Sequence, residues 1–239
     1  AEERFDRFTR LAQRLFQVPI ALVSLVDSDR QWFKSRQGLA ASQTPRDVSF
    51  CGHAILGNDP LVVTDASADP RFRDNPLVTG DPSIRFYAGY PLSAPDGSKL
   101  GTLCVIDRVP RQLTDADRQV LMDLGGMVQD ELAAAHLATT DLLTGLSNRR
   151  GFEMIAQKVS AVCNRTDTSV ALLFFDLDDF KQINDRFGHK EGDAALVAFG
   201  RLLLESFRTS DVIARLGGDE FCVLLTGVQC EKLDGVVER

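Results

Sequence analysis

Apolar residues along the first half of the chain follow helical spacing in some segments and strand-like spacing in others. Near the start, an amphipathic helix is predicted by the apolar stripe Phe5, Phe8, Leu11, Ala12 and Leu15. Two β-prone runs, residues 20–26 and 31–35, are separated by a polar turn and predict a strand pair. A short helix at 47–56, a strand at 61–64 and strands between 85 and 106 follow. This order predicts an α+β domain with an antiparallel sheet and flanking helices.

A long apolar stripe predicts a connecting helix at about residues 113–136. Thr114 is a good N-cap residue, and Asp117 three positions later completes a variant of the capping box. The stripe consists of Val120, Leu121, Leu124, Met127, Val128, Leu132 and Ala135. This stripe either packs against the sheet of its own domain or packs against the same helix of a second chain, in a parallel two-helix dimer seam. We favour the seam, because the helix directly precedes the part of the chain with candidate chemistry.

The second part of the chain, residues 137–239, alternates predicted helices and strands. A helix at 152–162 precedes the apolar run 170–175, which is long enough for a buried strand. Three acids follow that run: Asp176, Asp178 and Asp179. A helix stopped by Gly188, a second helix from Asp193 and a strand hairpin complete the pattern. The fold class predicted for this part is a palm-like sheet with helices.

The hairpin carries the most distinctive group of residues. The β-prone runs 212–214 and 221–225 flank the sequence Gly-Gly-Asp-Glu at 217–220. Paired glycines predict a primed turn with positive φ at both central residues. Asp219 and Glu220 then lie at a tight tip, where like charges repel, so a cation or a reacting hydroxyl would explain them. The alternative is a solvated acidic turn.

Composition narrows the class of protein. The 239 residues are 44% hydrophobic and 26% charged, which indicates one or two folded domains. A net charge of −7 without a basic run argues against a nucleic-acid partner. The five cysteines are Cys51, Cys104, Cys163, Cys222 and Cys230. They lack CxxC spacing, which indicates reduced thiols in a cytoplasm and argues against structural zinc. No apolar run reaches the length of a membrane span, so we expect a cytoplasmic location.

Residues 141–239 resemble a GGDEF domain, the diguanylate cyclase family. The resemblance rests on segments 141–150, 176–193 and 217–221, which occur in the family's order. It implies condensation of two GTP into cyclic di-GMP and two pyrophosphates, with two Mg²⁺ or Mn²⁺ ions per active site. Members of the family continue past the hairpin into elements with basic phosphate contacts. The sequence ends before such a segment, so we expect this piece to be truncated and to cyclise GTP poorly or not at all.

The resemblance also assigns roles to individual acids. It implies that Asp176 and Asp219 are metal ligands and that the backbone carbonyl of Leu177 belongs to the metal shell. It implies that Glu220 lies near the metal and the attacking hydroxyl, as ligand or as base. Carboxylate and carbonyl oxygens suit hard cations such as magnesium.

Other residues match the family's nucleotide contacts. The resemblance implies that Asn184 and Asp193 recognise guanine, although either residue alone could be a surface residue or a helix cap. The further substrate contacts that it implies are Lys181, Phe180, Gly217 and Gly218. A phosphate would suit the start of the helix that carries Lys181.

A product-binding motif is also implied. Arg208 and Asp211 precede Gly217 at the spacing of the family's inhibitory site. Arginine binds phosphate bidentately, and aspartate accepts hydrogen bonds from guanine, so this pair suits cyclic di-GMP. The alternative is an ordinary surface ion pair at a helix end.

Residues 1–136 resemble a GAF domain, a sensory or dimerising module. The resemblance rests on segments 19–25, 49–54 and 100–107. It does not identify the GAF ligand. Cys51 and His53 could hold a chromophore or haem, but we prefer a packing role for both. The combined expectation is a GAF-regulated, homodimeric diguanylate cyclase. The alternatives are a nucleotide-binding receptor without turnover and a sensory and dimerisation fragment.

Overall fold

The computed structural model describes residues 2–228, and the chain divides into two units, residues 1–133 and 134–239. The strands of the first unit are β1 (Ile20–Val26), β2 (Arg30–Gln37), β3 (Gln43–Pro45), β4 (Leu61–Val63), β5 (Phe86–Ser93) and β6 (Lys99–Asp107). Its helices are α1 (Glu3–Phe16), α2 (Phe50–Ala54), α3 (Pro76–Thr79) and α4 (Asp115–Leu137), the last of which continues past residue 133. The sheet order is β3-β2-β1-β6-β5-β4 with antiparallel pairing. The predicted antiparallel α+β class is confirmed.

The first unit's sheet is covered on both faces. On one face, α1 and the first half of α4 pack through Phe5, Leu121 and Val128 onto the sheet. On the other face, α2 and α3 form a second core through residues such as Phe50 and Val78. Successive residues of the central strand β1 therefore enter opposite cores, and both sets are buried.

The helix α1 differs from its prediction in which residues it buries. Leu11 and Leu15 are 42% and 55% exposed, whereas Thr9 is buried. The Thr9 hydroxyl lies 2.8 Å from the Ser35 hydroxyl, and this hydrogen bond satisfies a polar group inside the core. The buried stripe is Phe5, Phe8, Ala12 and Phe16, rotated from the predicted one.

The N-terminus of α4 has the predicted capping box. The Asp117 carboxylate accepts hydrogen bonds from the Thr114 N–H (3.0 Å) and hydroxyl (2.7 Å), and the Asp117 N–H donates to the Thr114 hydroxyl (3.1 Å). Leu121, Leu124 and Val128 pack against the unit's own sheet. For these three residues, the alternative in which the stripe packs against the sheet of its own unit is thus correct. Val120 and Met127 remain exposed, and the helix seam stays a prediction.

The second unit's helices are α5 (Arg149–Thr166), α6 (Phe180–Phe187) and α7 (His189–Ser206). Its strands are β7 (Val170–Asp176), β8 (Val212–Gly217) and β9 (Glu220–Thr226), which pair antiparallel in the order β7-β9-β8. Its core includes Leu196 and Leu203 of α7 together with Phe221 and Val223 of β9. The strand–loop–helix order predicted around Asp176 is confirmed.

The prediction of a buried strand at 170–175 is wrong. Within the described residues β7 is an edge strand, and its side chains alternate between core and surface. Leu173 and Phe175 pack against the core, whereas Leu172 and Phe174 are 44% and 68% exposed. An apolar run in the sequence does not distinguish an edge strand from a central strand, because both kinds of strand are built from the same β-prone residues.

The helix predicted from Asp193 begins earlier, at His189. Gly188, with φ of 90°, ends α6 and also serves as the N-cap of α7, so the second helix starts at the next residue. The expected helix after residue 228 and Cys230 lie outside the described residues. Among residues 2–228, no helix combines the length and the apolar character needed to cross a bilayer.

Candidate functional site

The register of the second sheet brings the predicted catalytic acids to one end of it. Asp176, the last residue of β7, pairs with Glu220, the first residue of β9. Asp219 belongs to the turn immediately before Glu220. Antiparallel pairing places directly opposite residues about 4.5–5.5 Å apart at their Cα atoms. Asp176 and Glu220, which are 44 positions apart in sequence, are therefore neighbours.

The turn differs by one residue from its prediction. Gly217 pairs with Glu220, so the central turn residues are Gly218 and Asp219 rather than the two glycines. Gly218 has φ of 54°, and Asp219 is not among the residues with positive φ. This agrees with a primed turn in which only the first central residue needs a positive φ. Open space surrounds Gly218, so backbone conformation rather than crowding requires glycine there.

A half-buried arginine, Arg215, fixes the hairpin turn. Arg215 donates from Nε and Nη2 to the Gly218 carbonyl at 2.9 and 2.8 Å. Its Nη1 lies 3.2 Å from both carboxylate oxygens of Asp141. That carboxylate also accepts hydrogen bonds from the Thr144 N–H (2.9 Å) and hydroxyl (2.7 Å). We name Arg215, Asp141 and Thr144 the turn clamp.

The turn clamp is charged in the folded chain. Burial raises the pKa of Asp141, but hydrogen bonds from Thr144 and Arg215 outweigh it and hold the pKa below its usual value. Sequence reasoning included Asp141 only as part of a motif and missed Arg215. The available signal was a lone cation inside an apolar strand, two residues before the glycines.

A cation also approaches the acids from α5. Arg149 follows the N-cap Asn148, and its Nη2 lies 3.6 Å from Glu220 Oε2. Arg149, Asp176 and Glu220 line an open pocket of about 270 Å³ with Phe174, Phe175 and Leu216. The pocket thus combines two carboxylates, one guanidinium and apolar walls. Sequence reasoning assigned no role to Arg149.

The carboxylate oxygens of Asp176, Asp219 and Glu220 are suitable ligands for a hard divalent cation. The three side chains are not, however, already arranged as a metal site. Within residues 2–228, no three His, Cys, Asp or Glu side chains lie close enough together to hold a metal ion. Asp176 and Glu220 are exposed and Asp219 is half-buried. The Leu177 carbonyl accepts a hydrogen bond from the Phe180 N–H at 3.3 Å and keeps a second lone pair for another partner.

The predicted guanine residues lie on neighbouring helices. A Cβ added at Gly192 would lie 2.1 Å from Asn184 Oδ1 and 3.3 Å from Phe180 Cζ, so α7 contacts α6 closely at this point. Asp193 is the next residue and is exposed, whereas Asn184 is half-buried. Lys181 is exposed in the first turn of α6. These residues form a second group, separate in sequence from the hairpin.

Arg208 and Asp211 form a local turn between α7 and β8. The Asp211 carboxylate accepts a hydrogen bond from the Arg208 N–H at 3.0 Å, and the Asp211 N–H donates to the Arg208 carbonyl at 2.9 Å. The carboxylate thus contacts the backbone of Arg208, whose side chain is exposed.

Cys51 and His53 both have protein neighbours in the first unit. Cys51 is 2% exposed inside the core, and the His53 ring meets Phe72 edge-on at a centroid distance of 4.9 Å. The burial of Cys51 agrees with a packing role, whereas His53 is exposed and contacts Phe72 from the surface.

Two families match the chain. The GAF domain family matches residues 1–132, and the family described as diguanylate cyclase, GGDEF domain, matches residues 138–239. A similar protein is the cyclic di-GMP phosphodiesterase PA2567 of Pseudomonas aeruginosa, 49% identical over 154 residues, covering 62% of this chain and 26% of that protein. Another is the diguanylate cyclase DgcP of Escherichia coli, 34% identical over 207 residues, covering 81% and 60%.

Solved structures of GGDEF domains are also similar. The GGDEF domain of DgcB from Caulobacter crescentus, in complex with c-di-GMP, is 30% identical, with a TM-score of 0.41, covering 42% of this chain and 59% of that chain. The present chain spans only 26% and 60% of the lengths of PA2567 and DgcP.

Proposed function

We propose that this chain, which belongs to the GAF family over residues 1–132 and continues as a GGDEF domain over residues 138–239, is a diguanylate cyclase. In this proposal it condenses two GTP molecules into cyclic di-GMP and two pyrophosphates. The observation that carries the proposal is the pairing of Asp176 with Glu220 beside Asp219. The similarity to DgcP, which is named a diguanylate cyclase, supports it.

The acids supply the chemistry in this proposal. Asp176, Asp219 and the Leu177 carbonyl would hold magnesium or manganese, and two such ions would polarise the attacking hydroxyl and offset the charge of the leaving pyrophosphate. Glu220 accepts the proton of the 3′-hydroxyl that attacks the α-phosphate of the other GTP, or joins the metal ligands. The turn clamp holds the Gly218 carbonyl and so limits the movement of Asp219.

The helices and glycines supply substrate binding in this proposal. Asn184 and Asp193 accept and donate hydrogen bonds along the guanine edge, which adenine would not match. Lys181 and Phe180 lie at the start of α6, where backbone N–H groups suit a phosphate. Gly217 and Gly218 let the hairpin backbone approach the nucleotide without a Cβ.

Regulation is part of the same proposal. Each GGDEF domain offers half of a site for two nucleotides, so the active species is a homodimer, joined in part through the exposed Val120 and Met127 of α4. The GAF domain controls turnover through this helix. Arg208 and Asp211 bind the product and slow the enzyme as cyclic di-GMP accumulates.

A second candidate is a sensory and nucleotide-binding part of a larger protein, without turnover of its own. Two observations favour it. PA2567 is named a cyclic di-GMP phosphodiesterase, and this chain spans only 26% of its length. The acids also lack a preformed three-carboxylate cluster among the described residues.

The test is incubation of the full-length protein with GTP and magnesium, followed by chromatographic separation of the nucleotides. The cyclase proposal expects cyclic di-GMP and pyrophosphate from the unaltered full-length protein and none from its Asp219→Asn variant. Calorimetry with GTP separates the candidates further. Saturable GTP binding without product would favour the second candidate, and absence of binding would contradict both.

A further inference from the structure

Two thiols face one another inside the GAF domain. Cys51 on α2 and Cys104 on β6 have their Sγ atoms 3.9 Å apart. Both side chains are buried, at 2% and 0% exposure, and both are free thiols. A disulfide requires an S–S distance of about 2.05 Å. An approach of about 2 Å, shared between a short helix and a strand, would therefore join them.

Hydroxyl groups surround the Cys51 sulfur. The Tyr87 hydroxyl donates a hydrogen bond to Cys51 Sγ at 3.5 Å. The buried Thr102 hydroxyl lies close enough to both thiols to lower their pKa values, and in the described part of the chain it makes no hydrogen bond to any other group. A buried donor without an acceptor is costly, and a thiolate would satisfy it. The site therefore stabilises negative charge on sulfur.

The two thiols are not equivalent. Hydrogen bonding by Cys104 lowers the pKa of Cys51 against the opposing effect of burial, and Thr102 and Tyr87 act in the same direction. The same hydrogen bond with Cys51, together with burial, raises the pKa of Cys104. Cys51 also accepts the hydrogen bond from the Tyr87 hydroxyl, so it is the better placed of the two thiols to carry a negative charge, and the thiolate is the nucleophilic form of cysteine.

A small cavity leads to Cys51. Its volume is about 100 Å³, and Cys51 and Tyr87 line it together with Gln31. Ala41 and Asp81 also line the cavity and are exposed, so it reaches the protein surface. A water molecule occupies about 30 Å³ in the liquid, so a molecule of the size of hydrogen peroxide fits this cavity, whereas a protein does not.

We propose that Cys51 and Cys104 form a peroxide-responsive dithiol in the GAF domain, with Cys51 as the attacking thiol and Cys104 as the resolving thiol. The Cys51 thiolate attacks one peroxide oxygen, so an S–O bond forms and the O–O bond breaks. The released hydroxide takes a proton and leaves as water, and Cys51 becomes a sulfenic acid. Sulfur is oxidised by two electrons, and peroxide is reduced by two.

The second step closes the disulfide. The Cys104 sulfur attacks the Cys51 sulfur, so the S–S bond forms and the S–O bond breaks. The departing hydroxide takes the Cys104 proton and leaves as a second water. The sum is two thiols and one peroxide giving one disulfide and two waters. The product links α2 to β6, a central strand of the sheet, and fixes one wall of the cavity.

The remaining described cysteines provide internal controls. Cys163 and Cys222 are buried in the second unit as free thiols. Burial raises the pKa of Cys222 to about 11, so it is a poor nucleophile at neutral pH. These two thiols should remain reduced under conditions that oxidise Cys51.

The test is brief peroxide treatment of the folded chain, followed by alkylation of free thiols, proteolysis and mass spectrometry without reductant. We expect a peptide pair linked through Cys51 and Cys104, lighter than the reduced pair by two hydrogen atoms, that disappears after dithiothreitol. Cys104→Ser should stop at a sulfenic acid on Cys51, trapped by dimedone. Cys51→Ser should give neither product, and Cys163→Ser should behave like the unaltered chain.

Circular dichroism before treatment establishes that each variant is folded, and the linked pair from the unaltered chain does not depend on any variant. The proposal is overturned if, after peroxide treatment of the folded chain, denaturation and alkylation find Cys51 and Cys104 as free thiols. It is equally overturned if Cys163 or Cys222 reacts first, or if Cys51 links two chains on a non-reducing gel. This test is independent of cyclase activity.

Discussion

The two sheets of this chain differ in where they place their reactive groups. In the first unit both faces of the sheet are covered, and the thiols and hydroxyls around Cys51 are enclosed between the sheet and α2. In the second unit the acids lie at the open end of a hairpin beside an edge strand. An enclosed site admits a small reagent, whereas an open one has room for a nucleotide. The extent to which helices cover each sheet thus limits the size of the molecule that can reach the reactive groups.

The first way to test this comparison is to remove an acid from the open site. Asp219→Ala or Asp176→Ala should abolish cyclic di-GMP formation, because losing a carboxylate ligand loses a metal ion. The measurement is chromatographic product formation from GTP and magnesium in a chain that is active when unaltered. Glu205→Ala, an exposed acid at the end of α7, is the matched control. Normal turnover in the Asp219 or Asp176 variants would refute the metal assignment.

A second prediction concerns the two faces of the second sheet. Phe221→Ala removes a side chain with 0% exposure and should lower the free energy of unfolding by about 3–5 kcal/mol. Phe174→Ala removes a side chain that is 68% exposed and should change it by less than about 0.5 kcal/mol. Urea denaturation measures both variants. Equal losses would mean that the outer face of β7 is covered in solution.

The third prediction concerns base recognition. Asn184→Ala or Asp193→Ala should weaken GTP binding by about 1–3 kcal/mol, because the lost hydrogen bond leaves a polar edge of guanine unpaired. Calorimetry with GTP measures the change, with Asp185→Ala on the same helix as the control. Unchanged affinity in both variants would place the base elsewhere.

The fourth prediction follows from the lowered pKa of Asp141. A depressed pKa contributes stability above the unfolded value of about 3.9, and this stability is lost as the pH falls through the folded value. Asp141→Asn should therefore cost about 1 kcal/mol at neutral pH and progressively less under acid. Urea midpoints across pH measure the difference, and Glu205→Gln serves as the control. A gap that does not shrink below pH 4 would show that the charge of Asp141 is not what stabilises the turn clamp.

The smallest predicted effect is on feedback. Arg208→Ala should leave initial GTP turnover largely intact and remove the slowing that accompanies product accumulation. Calorimetry with cyclic di-GMP should show weaker binding to the variant, since a guanidinium contact to phosphate is lost. If both proteins bind the product equally, Arg208 and Asp211 have only the local turn role seen between α7 and β8.

Sequence patterns predicted most elements of this fold because local signals and tertiary contacts agree. The capping box of α4 needs only Thr114 and Asp117, and it forms as predicted. The runs 20–26 and 170–176 look alike in sequence, yet the first is a central strand and the second is an edge strand. Their difference depends on neighbours that are remote in the chain, so composition cannot reveal it.

The same reason limits prediction of the sites. Asp176, Asp219 and Glu220 were identifiable because a known motif marks each of them. The turn clamp and the thiol pair were not, because Arg215 meets Asp141 and Cys51 meets Cys104 only through the folded topology. Separations of 74 and 53 residues leave no periodic signal in the sequence.

The junction at Gly188 determines where the second domain can be altered by engineering. One residue ends α6 and caps α7, so no spare chain separates the two helices. An inserted tag or label there would displace Asn184 from Gly192, since these residues touch across the junction. The exposed turn between β5 and β6, around Gly97, has open space and is a better position for a reporter group.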